Sequence, residues 1–135
     1  MRWSDLDPNF HLRHSVYYDF GAQCRISFLN EHGITADVLL RHSIGPVLFR
    51  EECLFKKEIN FTDRITINLK LASVSPDFRK WTMVHEIRKN EDSLAAIITV
   101  DGAWMNTQLR KITAPPETFR TAFETIPKTE DFKMA

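Results

Sequence analysis

The stretch Trp3–Asn30, WSDLDPNFHLRHSVYYDFGAQCRISFLN, has two halves of opposite character. The half that ends at His14 holds acids, a proline, an asparagine and two histidines, a composition typical of a loop that carries chemistry. The half from Ser15 onward predicts a helix that ends near Gly33, because apolar residues recur in it every four positions. Those apolar residues are Val16, Phe20, Cys24 and Phe28, joined by Tyr17, Ile26 and Leu29. This spacing indicates a helix that is buried on much of its circumference.

The junction of the two halves places a polar loop at the N-terminus of a buried helix. The first N–H groups of a helix lack intrahelical acceptors, and the helix dipole is positive at that end. Such an end can bind or polarise an oxygen atom. The segment Ser4–His14 is therefore the candidate functional loop.

Beyond Gly45 the sequence changes to the period of strands. Residues 64–71 alternate between apolar and polar side chains, which predicts a strand with one solvent-exposed face. Three further strands are predicted, at 47–61, 79–88 and 94–107. Gly102, inside the last of them, indicates a bulge or a close approach of another part of the chain.

The ends of the chain and one connection have weaker patterns. Residues 1–4 are consistent with a very short first strand. Residues 34–45 have a mixed pattern, in which 37–41 fit either an extended segment or a further turn of helix. Pro115 and Pro116 predict the start of a short helix that ends near Glu124. The polar residues 125–135 are expected to form a flexible tail.

The length predicts one domain, residues 1–135. The order of the predicted elements, one long helix followed by successive strands with short turns, predicts the α+β class with an antiparallel sheet curled around one long central helix. The formal net charge is zero, which argues against a nucleic-acid partner. The sequence has no run of about 18 apolar residues that would cross a membrane, and no export signal is visible. The cysteines Cys24 and Cys53 are too few for a disulfide framework, so a cytoplasmic location is expected.

The segment from Ser4 to His11, followed by His14, Tyr17 and a helix, resembles the hotdog-fold acyl-CoA thioesterases. The likeness is greatest to the branch of 4-hydroxybenzoyl-CoA thioesterase and YbgC-like proteins. Members of this branch carry Asp-x-Asp, matched here by Asp5 and Asp7, and a His or Tyr seven residues after the second Asp, matched by His14. The resemblance covers nearly the whole chain in the order of its elements. It implies the hotdog fold and hydrolysis of an acyl-CoA to a free carboxylic acid and CoA.

The resemblance also implies roles for individual residues. Asp7 would be the general base or the nucleophile, and the backbone N–H of His14 would polarise the thioester carbonyl. Asn9, His11 and Tyr17 are the candidate substrate-binding residues. No metal and no separate cofactor are implied, since CoA is part of the substrate. Members of the family pair their sheets, so a homodimer or a homotetramer is expected.

Each assignment has a structural alternative. Asp7 can instead form an Asx-type turn or cap a helix, and Asn9 can be a solvated loop residue. His11 and His14 have the spacing of a weak metal motif, but no third ligand is nearby. Tyr17, at the start of a buried helix, can be a core residue. His85 alternates with apolar residues and is expected to be a hydrogen-bonded histidine on a sheet face.

Other functions remain open at this point. The loop also resembles that of acyl-carrier-protein thioesterases, so the carrier of the acyl group is undecided. A hotdog hydratase or dehydratase would use a different spacing of Asp and His from the one seen between Asp7 and His11. A non-catalytic protein that binds acyl thioesters is the third possibility. It is suggested by Phe10 and Val16, because family members usually carry a small residue and an Asn at these positions.

Overall fold

The computed structural model describes residues 1–135 and has an α+β architecture of one curved, mainly antiparallel sheet and three α-helices. The helices are α1 (Val16–Glu31), α2 (Ala36–His42) and α3 (Glu117–Glu124). The strands are β1 (Ile44–Phe55), β2 (Ile65–Ile67), β3 (Lys70–Val74), β4 (Lys80–Lys89), β5 (Ser93–Asn106), β6 (Lys111–Ile112) and β7 (Lys128–Met134). None of the helices has the length and apolar character needed to cross a lipid bilayer.

The sheet has the strand order β1-β5-β4-β3-β7, with β2 also beside β4 and β6 also beside β5. Every pair is antiparallel except β3 and β7, which run parallel. The two longest pairings are those of β5 with β1 and with β4. The last long strand is therefore internal, in agreement with its apolar residues on both faces. Strand β1 forms one edge of the sheet and has no partner on its outer side.

Helix α1 ends as the sequence predicts. Its last helical residue is Glu31, and Gly33 follows with a φ of +75°, the left-handed conformation that glycine adopts without a Cβ clash. The prediction that this helix is buried on much of its circumference is wrong for the single chain. Only Val16, Tyr17 and Gly21 are fully buried in it, because the sheet covers just one side.

The segment between α1 and β1, left open by the sequence pattern, contains α2. The Thr35 hydroxyl accepts a hydrogen bond from the Val38 N–H at 3.4 Å, as an N-cap residue does. Ser43 closes the helix with a φ of +51°. This seven-residue helix packs beside the start of β1 and leaves Leu40 in solvent.

The strand predicted at 64–71 is interrupted, and β2 and β3 are its two parts. The break lies at Asn68. Its backbone N–H keeps the ladder bond to the Glu86 carbonyl at 3.2 Å, but its side chain replaces the ladder bond in the other direction. Its Oδ1 accepts from the Glu86 N–H at 2.7 Å, and its Nδ2 donates to Glu86 Oε1 at 2.7 Å. Its carbonyl oxygen accepts from the His85 ring nitrogen Nδ1 at 2.9 Å. The register against β4 nevertheless continues from β2 to Leu71 of β3, and it shifts only between Leu71 and Ser73.

The core lies between the sheet and the inner sides of α1 and α3. Helix α3 contributes Phe119 and Phe123, which pack against Trp104 at ring-centroid distances of 5.1 and 5.7 Å. Both phenylalanines and Trp104 are almost fully buried. Three aromatic side chains of this size hold the helix to the sheet by burying apolar area.

Both chain ends differ from the sequence prediction. Residues 128–134, expected to be part of a flexible tail, form β7 beside β3, because β3 has an open edge that can accept a strand. Phe132 of β7 packs against the core. Near the N-terminus the predicted short strand is absent, and Trp3–Asp5 form a 3₁₀ helix. Asp5 stabilises that turn by accepting hydrogen bonds from the Arg2 N–H and guanidinium.

Candidate functional site

The candidate loop is fixed at both of its ends by hydrogen bonds. The Asp5 carbonyl oxygen accepts from the Arg13 N–H at 2.7 Å, and the Ile59 carbonyl accepts from the Leu12 N–H at 2.7 Å. His11 forms a β-bridge with Asn60, in the connection that follows β1. Asp5 itself is buried and bonded to Arg2, whose hydrogen bonds lower the pKa of the Asp5 carboxyl. Asp5 therefore has a structural role, because it holds the first turn of the chain in place.

Asp7 forms the Asx-type turn that was the structural alternative for this residue. Its Oδ1 accepts hydrogen bonds from the N–H groups of Asn9 and His11, at 2.8 and 3.1 Å. The Asp7 carbonyl oxygen also accepts from the Phe10 N–H at 3.0 Å. The second carboxylate oxygen, Oδ2, has no hydrogen-bond partner within the chain. The turn therefore uses one oxygen of Asp7 and leaves the other available to a substrate or a water molecule.

An open cleft of about 310 Å³ lies beside Asp7. It brings together three of the predicted site residues, which are Asp7, His11 and Tyr17. The other two do not line it, since the side chains of Asn9 and His14 are exposed to solvent. The remaining lining residues are Leu12, Phe55, Lys56, Lys57, Glu58 and Ile59.

His11 and Tyr17 have distinct surroundings in this cleft. The His11 ring nitrogen Nε2 lies 3.2 Å from Glu58 Oε2, which is close enough for an ion pair when the imidazole is protonated. Tyr17 is buried and packs edge-on against Phe55, with ring centroids 4.9 Å apart. Burial, followed by nearby negative charges that include Asp7, raises the pKa of Tyr17 to about 12. Its hydroxyl therefore stays protonated at neutral pH and can act as a hydrogen-bond donor.

The His14 backbone lies immediately before α1. Its N–H has no hydrogen-bond acceptor within the chain, whereas the neighbouring N–H of Val16 donates to the Arg13 carbonyl at 3.0 Å. An unpaired amide at the positive end of a helix is suited to polarise a carbonyl oxygen. The backbone of His14, rather than its exposed side chain, is thus the part of this residue that the fold makes available.

Phe10, at the tip of the loop, has a φ of +63°, which is uncommon for a bulky side chain. Its ring lies 5.5 Å from that of Trp3, and Trp3 lies 6.2 Å from Phe61. All three rings are largely exposed. The loop therefore presents an aromatic cluster to solvent next to Asp7.

A second polar group lies beneath α1. Arg25 Nη1 and His85 Nε2 are 2.9 Å apart, and Arg25 Nη2 lies 3.7 Å from Glu51 Oε2. His85 is fully buried, and burial lowers its pKa to about 4. The expectation of a hydrogen-bonded histidine on a sheet face is confirmed for His85.

Two further cavities border α1, and neither includes Asp7. One, of about 630 Å³, lies between α1 and β2 and includes Cys24 and Asn68. The other, of about 180 Å³, lies under the second half of α1 and is mostly apolar. The larger volume alone does not mark the reactive site. The lining of that cavity lacks the combination found near the start of α1, which is a carboxylate with one free oxygen and a backbone N–H without an acceptor. No three side chains of His, Cys, Asp or Glu come close enough to hold a metal ion.

Several of these residues carry little signal in the sequence. Glu58, Lys56 and Lys57 follow β1 in a segment whose pattern resembles a continuing strand, so nothing indicated that they turn toward Asp7. Arg25 lies within the apolar pattern of the predicted helix, and nothing in that pattern indicates its contacts with His85 and Glu51. Glu51, which interrupts the apolar alternation of β1, was the one available signal for the ion pair beneath α1.

Comparisons with solved structures establish the fold. The hypothetical protein SAV2348 from Staphylococcus aureus, solved in complex with CoA, superposes with a TM-score of 0.86 at 19% identity, over 100% of this chain and 90% of that chain. The 1,4-dihydroxy-2-naphthoyl-CoA thioesterase Slr0204 from Synechocystis gives a TM-score of 0.82 at 16% identity, with coverages of 93% and 91%. The gentisyl-coenzyme A thioesterase BH1999 gives 0.77 at 21% identity, with coverages of 91% and 94%.

Comparison at the level of sequence identifies the family. No curated protein sequence matches this chain significantly. The sequence model of the Thioesterase-like superfamily, however, matches residues 1–123. That match includes the candidate loop, α1 and all strands of the sheet except β7. The chain therefore belongs to the thioesterase-like superfamily.

Proposed function

We propose that this protein is an acyl-CoA thioesterase that hydrolyses an acyl-CoA to a free carboxylic acid and CoA. The observation that carries the proposal is the pairing of two features within one short loop. Asp7 lines a cleft with one carboxylate oxygen unpaired, and seven residues later the His14 N–H lacks an acceptor at the start of α1. A base or nucleophile and a carbonyl-polarising donor are the two groups that thioester hydrolysis requires.

In the proposed reaction, the thioester carbonyl oxygen accepts a hydrogen bond from the His14 N–H. Asp7 Oδ2 removes a proton from water as the water oxygen bonds to the carbonyl carbon, or attacks that carbon itself. The negative charge that develops on the carbonyl oxygen is stabilised by the unpaired amide and the helix dipole. Collapse of the tetrahedral intermediate breaks the C–S bond, and the sulfur leaves as a thiolate, which takes the proton held by Asp7 in the general-base route or a proton from solvent in the nucleophilic route, to give the thiol of CoA. In the nucleophilic route, water then hydrolyses the acyl-Asp7 anhydride.

The other predicted residues have supporting roles in this proposal. The protonated Tyr17 hydroxyl and the His11 imidazole, both in the cleft, are assigned to substrate binding. Lys56 and Lys57 add positive charge beside Asp7, which suits the phosphates of CoA. Asn9 lies outside the cleft of the single chain, and its contact with substrate stays a prediction.

We assign the chain to the 4-hydroxybenzoyl-CoA thioesterase and YbgC-like branch, with the hotdog arrangement in which one long central helix lies against the curled sheet. The spacing from Asp7 to His14 supports the branch. The close contact of α1 with β4 supports the arrangement, since a Cβ at Gly21 would lie 3.2 Å from His85 Cδ2. The CoA bound to the S. aureus neighbour supports CoA as the carrier of the acyl group.

We also propose that two copies pair through β1 to form a homodimer, which can associate further into a homotetramer. Strand β1 is twelve residues long, is unpaired on its outer side and exposes Leu48, Phe49 and Phe55. Such an edge is a liability unless a partner covers it. Because Phe55 also lines the cleft beside Asp7, a copy paired on β1 would border that cleft. Light scattering tests this proposal, and Phe49→Lys is expected to reduce the measured mass to that of one chain.

We also propose a cytoplasmic location for the protein. Cys24 and Cys53 are both free thiols in the fold, as is usual in a reducing compartment. Cell fractionation with an antibody to the protein checks the location.

The activity is tested by release of free thiol from a panel of acyl-CoAs that includes short, long and aromatic acyl groups. The parent is expected to release thiol from at least one, and Asp7→Asn to be about 10²- to 10⁴-fold slower. Hydrolysis at the parent rate by Asp7→Asn would contradict the assignment of Asp7. Lack of release from every acyl-CoA would favour an acyl-carrier-protein substrate or a non-catalytic acyl-thioester-binding protein. A change in the acyl chain without thiol release would indicate a hydratase or dehydratase.

A further inference from the structure

The outer edge of the sheet at β2 and β3 is covered along only part of its length. These two strands lie in line against β4, and β7 covers the outer side of β3 alone. The cover begins where the Leu71 N–H donates to the Pro127 carbonyl oxygen at 2.8 Å. Residues 65–69, just before that point, have no strand beside them on this side. The edge therefore accepts a strand, and part of it is uncovered.

The uncovered residues direct backbone groups toward this edge. The Arg64 carbonyl oxygen accepts from the Asn90 N–H at 2.9 Å, and the Asn68 N–H donates to the Glu86 carbonyl at 3.2 Å, so both ends of the segment bond on the side of β4. Backbone groups alternate in direction along an antiparallel strand, and the residues of the opposite parity thus point away from β4. These residues are Ile65, Ile67 and Leu69. The N–H and carbonyl groups of Leu69 have no hydrogen-bond partner within the chain.

The groove of about 630 Å³ between α1 and β2 runs beside the same edge. Apolar side chains from both elements line it, and all of them are half-buried. They are Phe20, Cys24 and Phe28 of α1, and Ile65, Ile67 and Leu69 of the edge. Helix α1 rises about 16 Å from Phe20 to Glu31, and five extended residues also span about 16 Å. A strand added to the edge would therefore lie along the groove and place its inward side chains there.

The charges of the groove favour a basic partner. Its lining contains Glu31 and Asp63 but no lysine or arginine. Asp63 is already bonded to Asn60 and Asn90, and Lys89 Nζ lies 3.5 Å from it. Glu31 is exposed and forms no ion pair within the chain. It is the last residue of α1, where the helix dipole is negative, so a cation bound beside it would be stabilising.

This surface is separate from the sites already described. The groove shares no lining residue with the Asp7 cleft. Strand β1 lies at the opposite edge of the sheet, with β5 and β4 between it and β2. A copy paired on β1 would therefore extend the sheet away from the groove.

We propose that residues 65–69 and the groove beside them bind an extended peptide segment of another protein as an added strand. The outward backbone groups of the edge pair with the backbone of the peptide, and alternate apolar side chains of the peptide pack on the face of α1 that holds Phe20, Cys24 and Phe28. A lysine or arginine of the peptide pairs with Glu31. None of the residues assigned to thioester hydrolysis takes part, so the two proposals are tested independently.

The test uses three synthetic heptapeptides and ¹⁵N-labelled protein. The first alternates valine with threonine between two terminal lysines. The second has the same composition with its valines in a row, and the third alternates but ends in glutamates. The first is expected to bind and to move the amide proton signals of Ile65, Ile67 and Leu69 downfield. The second is expected to bind about three- to tenfold more weakly, and the third about two- to fivefold more weakly.

Variants locate the bound peptide. Ser27→Trp places a large side chain in the groove and is expected to abolish binding, whereas Asn30→Trp, at an exposed position outside the groove, is expected to leave it unchanged. Glu31→Lys is expected to reverse the preference between the lysine and glutamate peptides. Asp37→Lys, at an exposed acid of α2, is the matched control and is expected to keep the parent preference.

Several results would overturn the proposal. Absence of binding at millimolar peptide would mean that this edge does not accept a strand. Equal affinity for the first two peptides would show that alternation is not read, and binding retained in Ser27→Trp would place the peptide elsewhere. Signals that move only in β1 would assign the peptide to the opposite edge. A higher mass of the parent by light scattering that Ser27→Trp lowers would make a second copy, not another protein, the occupant.

Discussion

Arg25 of α1 donates a hydrogen bond from Nη1 to the Nε2 atom of His85 on β4, at 2.9 Å. Because an arginine can only donate, Nε2 must be the acceptor. The proton of the neutral imidazole therefore lies on Nδ1, which donates to the Asn68 carbonyl oxygen at 2.9 Å. Helix α1 is thus joined to the sheet by hydrogen bonds to the buried His85 ring in its Nδ1-protonated tautomer.

This relationship makes the stability of the fold depend on pH. Burial, and secondarily the charge of Arg25, lowers the pKa of His85 from 6.5 to about 4. Between these values the unfolded chain binds a proton that the folded chain does not, so the free energy of unfolding falls as the pH falls. The full contribution is present above pH 6.5. Between about pH 6.5 and pH 5 the expected loss is about 2 kcal/mol.

Urea denaturation at pH 7 and pH 5 checks this expectation. His85→Gln can still accept from Arg25 and donate to the Asn68 carbonyl, and it is expected to lose most of the pH dependence. His42→Gln, at an exposed histidine, is the matched control and is expected to keep it. Equal pH dependence in the parent and in His85→Gln would show that another group is responsible.

Gly102 is expected to tolerate no side chain. A Cβ at this position would lie 2.6 Å from Trp81 Cζ2 and 2.7 Å from the Val47 carbonyl oxygen, and neither atom belongs to a flexible side chain. Gly102→Ala is expected to destabilise the fold by about 1–3 kcal/mol, measured by urea denaturation. At Gly45 the nearest atom, Thr107 Cγ2, is 3.6 Å away, so Gly45→Ala is the control. Similar stabilities for the two variants would show that the strands move apart at little cost.

Two substitutions of Asp7 are expected to separate its structural role in the Asx turn from its proposed catalytic role. Asparagine retains an oxygen that can accept from the Asn9 and His11 N–H groups, whereas alanine does not. Asp7→Ala is therefore expected to lower the free energy of unfolding by about 1–2 kcal/mol and Asp7→Asn by much less. Thiol release is expected to fall in both. Activity retained in Asp7→Ala would contradict the proposed reaction, and equal stability of the two variants would show that the Asx turn contributes little.

Removal of residues 128–135 is expected to destabilise the sheet and to promote aggregation. It takes away β7, exposes the edge of β3 and uncovers the core contact of Phe132. The expected loss is about 1–2 kcal/mol, because Phe132 is only partly buried and a fully buried phenylalanine contributes about 2 kcal/mol. Thermal denaturation with light scattering measures both effects. Phe132→Ser keeps the strand and is expected to lower stability without aggregation. A truncated chain as stable and monodisperse as its parent would contradict this account.

The sequence pattern was most informative for elements whose apolar residues repeat with a regular period and pack against the core. Apolar alternation identified β4, and apolar residues on both faces identified β5, which pairs with a strand on each side. Gly33 marked the end of α1, and Gly102 marked the close approach of Trp81. These positions are decided by local geometry, so their signals lie within a few residues.

The features that were missed depend on contacts between distant segments. Strand β7 has mostly charged residues, because it pairs on one side only and buries little besides Phe132. Asn68 breaks a predicted strand through bonds to Glu86 and His85, which no local pattern reports. In the site, Asp7, His11 and Tyr17 were proposed together and do line one cleft, whereas Glu58 reaches it from the far end of β1.

The cavity under α1 has a mechanical consequence. Unfolding eliminates internal void space, so hydrostatic pressure favours the unfolded chain in proportion to the voids that the native fold encloses. The pocket of about 180 Å³ beneath the longest helix is lined by the exposed residues Ile26 and Leu48 and is therefore open to solvent. It adds little to the enclosed volume, so pressure is expected to unfold this domain no more readily than it would unfold the same fold with the pocket filled.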